Sequence, residues 1–264
     1  MRRSAHTLAV LSLLAPALLI AAATACAAPT TLDQGAFVSL RAARDNTVNH
    51  ILVTYGPPKE NPGGGAPMWG NYVSDTAGID NITNPEGFAC ITEDATHDFC
   101  PDGTSVGEPG TGDDIVANLR GGNDTFNAAK SIGNFEVKGG DGDDVLHGSG
   151  VASHSPGFGT PPETLYSADS LYGQKGNDHL IGDLGGDFLI GGGGDDVLDG
   201  GPHAKDDTFP TDDSFDGGPG DDLILAADRD KDNRVDCGPG KHDVAVIDRI
   251  DPKPSHCEKV RVKG

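Results

Sequence analysis

Through the middle of the chain a large apolar residue returns once in every nine positions, on a background of glycine and aspartate. Four stretches keep this unit without gaps: 139–147 (GGDGDDVLH), 173–181 (GQKGNDHLI), 182–190 (GDLGGDFLI) and 191–199 (GGGGDDVLD). A fifth is 217–225 (GGPGDDLIL), weaker copies stand at 109–117 and 119–127, and 130–138 keeps the length with Phe135 in place of the aspartate. Glycine holds the first and fourth places, aspartate the sixth and the apolar residue the eighth. A fixed period of this length marks a stacked, solenoidal architecture. Each unit reads as a tight turn followed by a three-residue strand whose middle side chain points inward. The inward column is then Leu146, Leu171, Leu180, Leu189, Leu198, Phe215 and Ile224.

The flanks are less regular. Between Thr31 and Gly107 only Gly78, Asp80 and Ile82 echo the spacing, while the alternation of Ile51, Val53 and Tyr55 predicts strands and 57–67 an open loop. This part reads as a cap over the first turn, since a solenoid must protect its open end. Near the other end Cys237, Gly238, Pro239 and Gly240 resume the unit with one extra residue close to His242.

Composition explains why one apolar residue in nine is not enough. The 264 residues include 39 glycines and 41 Asp or Glu against 19 Lys or Arg, a formal charge of -22. Leu, Ile, Val and Phe make up only about a fifth of the chain, close to the level at which a charged sequence stays disordered. An ordinary large core is excluded, and nucleic acid and anionic lipid would be repelled. Sixth-place aspartates stacked at strand spacing, ~4.8 Å, would also repel one another unless cations lay between them, and hard oxygen donors of this kind suit Ca2+.

The unit resembles the RTX, or hemolysin-type, calcium-binding repeat, whose pattern is G-G-x-G-x-D-x-U-x. The resemblance implies an all-β fold, a right-handed parallel β-roll in which each nonapeptide makes one half-turn. It also implies several calcium ions between loops stacked on the same side, held by loop carbonyls and the sixth-place carboxylate. Carried onto this chain, the implied metal-binding positions are Gly139, Asp141 and Asp144, then Gly173, Gly176 and Asp178, then Gly182 and Asp187, then Gly191, Gly193 and Asp196, and last Gly217 and Asp222. Because half-turns alternate sides, the loops at Gly139, Gly173, Gly191 and Gly217 should form one uninterrupted face. The loop of Gly182 should lie on the other, between two loops lengthened by the insertions 151–168 and 202–212. Calcium is expected to bind best on the uninterrupted face. The insertions, with His154, Tyr166, His203 and Phe209, read either as tolerated surface loops or as a binding face.

The termini bear on location. Arg2 and Arg3, an apolar run from Leu8 to Ala23 broken by Pro16, and small residues around Cys26 follow the order of an export signal. Cleavage after Ala25 or Ala27 is compatible with it, as is lipidation of Cys26, which would anchor the chain at the cell surface. The other cysteines space themselves as two local bridges, Cys90 with Cys100 and Cys237 with Cys257. The expected organisation is a signal peptide over 1–27, a β cap over 28–108, the roll over 109–225 and a disulfide-closed C-terminal cap over 226–264. RTX proteins usually leave the cell by an uncleaved C-terminal signal, so an N-terminal one favours a simple exported calcium binder over a toxin.

Two further motifs invite chemistry. Asp228, Asp230 and Asp232, followed by Asn233, approach a D-x-D-x-D-G calcium loop, although Pro239 stands where such a loop carries its bidentate glutamate. A G-x-S-x-G string surrounds Ser105, but it lies in a polar loop with no hydrophobic strand before it and no room for an α/β sheet. There is no H-E-x-x-H motif, and no apolar segment after residue 28 is long enough to span a membrane. The expected function is an exported, non-enzymatic calcium-binding module with an unknown extracellular or cell-surface partner. The alternative is a secreted enzyme or toxin fragment with its active groups in the cap or insertions.

Overall fold

A computed structural model describes residues 37–42, 48–59, 68–75, 79–83, 91–92, 97–101, 114–151, 153–155, 163–165, 168–202 and 211–264. The signal segment, Cys26, Ser105, the side chains of Cys90 and Cys100 and most of both insertions lie outside this set.

Every named element is a strand. The N-terminal part contributes β1 (Phe37–Ala42), β2 (His50–Lys59), β3 (Met68–Asp75), β4 (Ile79–Thr83), β5 (Ile91–Thr92) and β6 (His97–Pro101). The repeats supply β7 (Asp114–Asn118), β8 (Thr125–Lys130), β9 (Phe135–Asp141) and β10 (Val145–His147). A small hairpin, β11 (Ser153–Ser155) with β12 (Glu163–Leu165), occupies the first insertion. Then follow β13 (Ser170–Lys175), β14 (His179–Ile181), β15 (Phe188–Gly193), β16 (Val197–Asp199), β17 (Ser214–Asp216), β18 (Leu223–Ala226), β19 (Arg234–Asp236), β20 (Val244–Ile247) and β21 (Lys259–Val262).

From β7 onward successive strands of the repeats go alternately to two sheets, as half-turns of a roll must. One sheet runs β19-β17-β15-β13-β9-β7-β1-β4 and the other β21-β20-β18-β16-β14-β10-β8-β2-β3-β6-β5. All pairs from β7 to β21 in these two sheets are parallel. Both sheets run on past Leu225 through β19, β20 and β21. The N-terminal strands continue the same two sheets: β1 and β2 join β7 and β8 in parallel, whereas β3, β4, β5 and β6 add antiparallel pairs.

Register places like on like. Val137, Leu171, Leu189, Phe215 and Val235 are successive partners in one sheet. Ile51, Phe126, Leu146, Leu180, Leu198, Ile224 and Ala245 are successive partners in the other. All are buried and belong to one core, so the expected column is in place and extends in both directions. Phe126 and Phe135 meet edge to face across the sheets with ring centroids 5.8 Å apart. At the far end Cys237, fully buried, is bridged to Cys257, as the spacing predicts. The last strand, β21, is exposed along its whole length.

Each inward residue packs on its partners in the turns above and below and belongs to the core shared by the two sheets. Leu189→Ala is expected to cost about 2–5 kcal/mol by urea unfolding in the presence of calcium. A loss well under 1 kcal/mol would show that the column is not close-packed.

Candidate metal centre

The loops are tight because the backbone turns through positive φ at the second and fourth places of the unit. Among the fourth-place glycines, Gly194 shows why no other residue serves. Its φ is +136°, and an added Cβ would collide with the Gly176 carbonyl of the neighbouring turn. The second place is more tolerant, and Arg120, Gln174 and Asp183 take it with φ of 69°, 83° and 68°.

This turn tucks the sixth-place aspartate under the loop, where it joins the next turn on the same face. The Asp178 carboxylate accepts the Asp144 N–H through Oδ1 at 2.8 Å, Asp196 accepts that of Asp178 at 2.7 Å, and Asp222 accepts that of Asp196 at 2.8 Å. The chain of bonds runs further in both directions. Asp144 accepts from Asp124 and Asp124 from Asn49, while Asp243 accepts from Asp222 and Glu258 from Asp243. The opposite face has its own ladder, in which Asp169 accepts from Phe135, Asp187 from Asp169 and Asp213 from Asp187, all at 2.7–2.8 Å. Beside the first ladder runs an outer one at the exposed fifth place, through Asn123, Asp143, Asn177, Asp195 and Asp221.

In most of these carboxylates one oxygen is used and the other is not, whereas Asp169 also accepts the Ser149 N–H through Oδ2 at 2.6 Å. Oδ2 of Asp124, Asp144, Asp178, Asp187, Asp196, Asp222 and Asp243 is buried without a hydrogen-bond partner. All but that of Asp124 face a space that glycine leaves open. A Cβ on Gly191 would lie 2.6 Å from the Gly217 carbonyl oxygen and closer still to Asp196 Oδ2. The same pairing of own-loop carboxylate and next-turn carbonyl surrounds Gly173 (Asp178 with Gly191 O, 2.6 Å), Gly182 (Asp187 with Gly200 O, 2.7 Å) and Gly148 (Asp169 with Gly182 O, 2.5 Å). Gly139 has it with Asp144 and Gly173 O at 3.0 Å, and Gly217 with Asp222 and the Cys237 carbonyl. A cradle in which a buried carboxylate oxygen lies beside a backbone carbonyl oxygen fits a hard cation such as Ca2+. Among the described residues no three His, Cys, Asp or Glu side chains gather as a metal-binding group, so backbone carbonyls must supply much of the coordination.

Burial makes these carboxylates reluctant to ionise. It raises Asp144 and Asp196 to about 7, and Asp178 and Asp222 to about 6, against a bonded N–H that pulls each down and neighbouring aspartates that push it up. On the opposite face burial lifts Asp169 to about 7 and Asp213 to about 8, and Asp187 is raised well above its ordinary range by burial and by Asp169 and Asp213.

The structure distributes the expected residues in three ways. Asp144, Asp178, Asp187, Asp196 and Asp222 stand in the ladders, and Gly139, Gly173, Gly182, Gly191 and Gly217 form the cradles. Gly176 shapes a turn at φ +124°, and Gly193 faces only the Gln174 carbonyl, at 3.9 Å. Asp141 points its side chain outward to Lys175, 2.7 Å away, so its carboxylate stands apart from the cradles. Asp124, Asp169, Asp213, Asp243 and Glu258 join the ladders without being among the expected ligands. For the four aspartates a signal was present: each stands two residues before an inward apolar residue, namely Phe126, Leu171, Phe215 and Ala245. The insertions therefore lengthen their loops without breaking the second ladder. Carboxylate and next-turn carbonyl meet at four first-place glycines on one face (Gly139, Gly173, Gly191, Gly217) and at two on the other (Gly148, Gly182).

Comparison with known families agrees with this geometry. The RTX calcium-binding nonapeptide repeat matches in four copies, at residues 136–150, 166–189, 172–202 and 210–228. No curated protein and no solved structure matches the chain. Residues 136–228 therefore carry RTX calcium-binding repeats on a parallel β-roll.

The raised carboxylates set a pH dependence. Between about 4 and 8 the folded chain holds protons that the unfolded chain has released, so in chelator stability is greatest at the acid end and falls as pH rises through this window. Calcium added at pH 7 should release protons, read by calorimetry in buffers of different ionisation enthalpy. A flat stability profile in chelator together with no proton release would contradict these assignments.

Proposed function

We propose that this chain is an exported calcium-binding protein that folds around several Ca2+ ions lodged between stacked loops and serves as a structural or binding module rather than an enzyme. One observation supports this most: the buried, unpartnered Oδ2 atoms of Asp144, Asp178, Asp187, Asp196 and Asp222 each lie beside a next-turn backbone carbonyl at a space kept open by glycine. The bound ion supplies the positive charge that such a row lacks. The protein's own part is positional. Each Oδ1 holds the neighbouring turn through its N–H, each first-place glycine keeps the cradle clear, and the inward column sets the spacing of the loops.

Export is supported by the N-terminal charged, apolar and small-residue order, by the Cys237–Cys257 bridge, which suits an oxidising compartment, and by the habit of RTX repeat proteins, which are typically secreted. Among the described residues no helix is long and apolar enough to cross a membrane.

The deciding experiment is a calcium titration of the mature chain by circular dichroism, with a chelator control. Strand content and thermal midpoint should rise together with calcium. A chelated chain that keeps its full strand content and stability would remove calcium as the folding partner. Asp178→Ala or Asp196→Ala should shift the calcium midpoint further than Asp187→Ala, because four cradles line their face and two the other. Equal shifts would show that the faces do not differ.

A further inference from the structure

The inward rows of one sheet run on into β21, and there they lose their cover. The row Leu198, Ile224, Ala245 continues into Val260, and beside it Ala226 and Ile247 continue into Val262. All the earlier members are buried, yet Val260 is 42% and Val262 55% exposed. Register partners in neighbouring strands point to the same face of a sheet, so both valines face the core side. Among the described residues no strand follows β21 in this sheet.

The backbone of β21 is open in the same places. Lys259 donates its N–H to the Asp243 carbonyl and Lys263 to that of Ile247, so these residues bond towards β20. By the alternation of a strand, the N–H and C=O groups of Val260 and Val262 point to the free side. Charge then decides what can lie there. Lys259, Arg261 and Lys263 alternate with the two valines and are all exposed. Next to Lys263 opens a cleft of about 560 Å³, lined by Arg229, Arg249 and Lys263 with Ile250, Asp248 and Gly264. Ile250 is 54% exposed, and the Asp248 carboxylate already accepts the Arg229 N–H. The chain as a whole carries -22, but salt screens charges beyond ~8 Å, so a strand arriving at this edge meets its cations before the roll's distant acids.

We infer that β21 is a docking edge for an acidic, extended segment of another polypeptide, added to the sheet as one more strand. Apolar residues at alternate places of that segment cover Val260 and Val262, and acids at the places between them face Lys259, Arg261 and Lys263. Main-chain bonds to Val260 and Val262 hold the segment, and its alternation selects it. An acid beyond the paired stretch reaches the cleft of Arg229, Arg249 and Lys263. This rests on the binding-module reading and gives the partner of that module its chemistry.

The test offers the calcium-loaded mature chain two fluorescein-labelled octapeptides, one alternating Val and Glu and one alternating Val and Lys, and reads binding by fluorescence anisotropy. The Val-Glu peptide should bind roughly tenfold or more tightly than the Val-Lys peptide. K259E/R261E/K263E should reverse that order, and V262P, which removes an N–H on the free side and no bond to β20, should bind neither. Equal affinity of wild type for the two peptides, no binding of the Val-Glu peptide, or undiminished binding by V262P overturns the docking edge. Sedimentation of the wild type alone tests for a second copy: dimers that disappear in V262P would place another copy of this chain at the edge and overturn the acidic partner. Should V262P fail to fold, the charge reversal decides, because its three side chains are exposed. Circular dichroism of the same samples separates the two readings. A chain that gains strand content with calcium but takes no peptide loses the docking edge alone, whereas one that folds fully in chelator and still prefers the Val-Glu peptide keeps the edge and loses calcium as its folding partner.

Discussion

Everything in this fold answers to the repulsion between carboxylates buried one above another. The polypeptide brings like charges out of water in single file, an arrangement that is tolerable only if they are neutralised by protons or by cations. Hydrogen bonding solves half the problem, since Oδ1 of each ladder aspartate receives an N–H from the adjacent turn. The other half is left to whatever enters from solution. Folding and ligand binding are consequently one equilibrium, and the apolar column, a single side chain per half-turn, is sized for a structure that does not rely on it alone.

Much of this was legible in the chain. Leucine at the eighth place, as in Leu180 and Leu198, announced both the strand and the inward direction, because a nine-residue period leaves only one side chain per short strand that faces the core. Asp178 and Asp196 were equally plain, since their glycines stood at fixed distances. The members that escaped notice did so for physical reasons. Asp169 and Asp213 close loops lengthened by insertions, so counting forward from glycine misses them although counting back from Leu171 and Phe215 does not. Asp141 differs from them: it sits within a perfect repeat, but its carboxylate pairs outward with Lys175 and stands apart from the cradles. Lateral pairing of this kind depends on the residue one turn over, which no linear pattern contains.

The N-terminal strands show how an irregular sequence can still obey the roll. Ile51, Val53 and Val73 alternate in the ordinary manner of half-buried strands, and they are buried because β2 and β3 extend one of the repeat's own sheets. By turning antiparallel they give the first parallel turns a partner that needs neither glycine nor aspartate. Within the repeats the acidity is uneven in its role, buried in the sixth-place ladders and exposed at the fifth place.

Parallel stacking has no natural end, because each strand offers the next the same edge it received. At β21 that edge lies open, yet its side chains alternate Lys259, Val260, Arg261, Val262 and Lys263 follows directly, all exposed. Basic residues on a free strand set like charge against like charge when two identical edges meet. The exposed edge of β21 in an otherwise acidic protein is thus basic, which disfavours mutual pairing of two such edges.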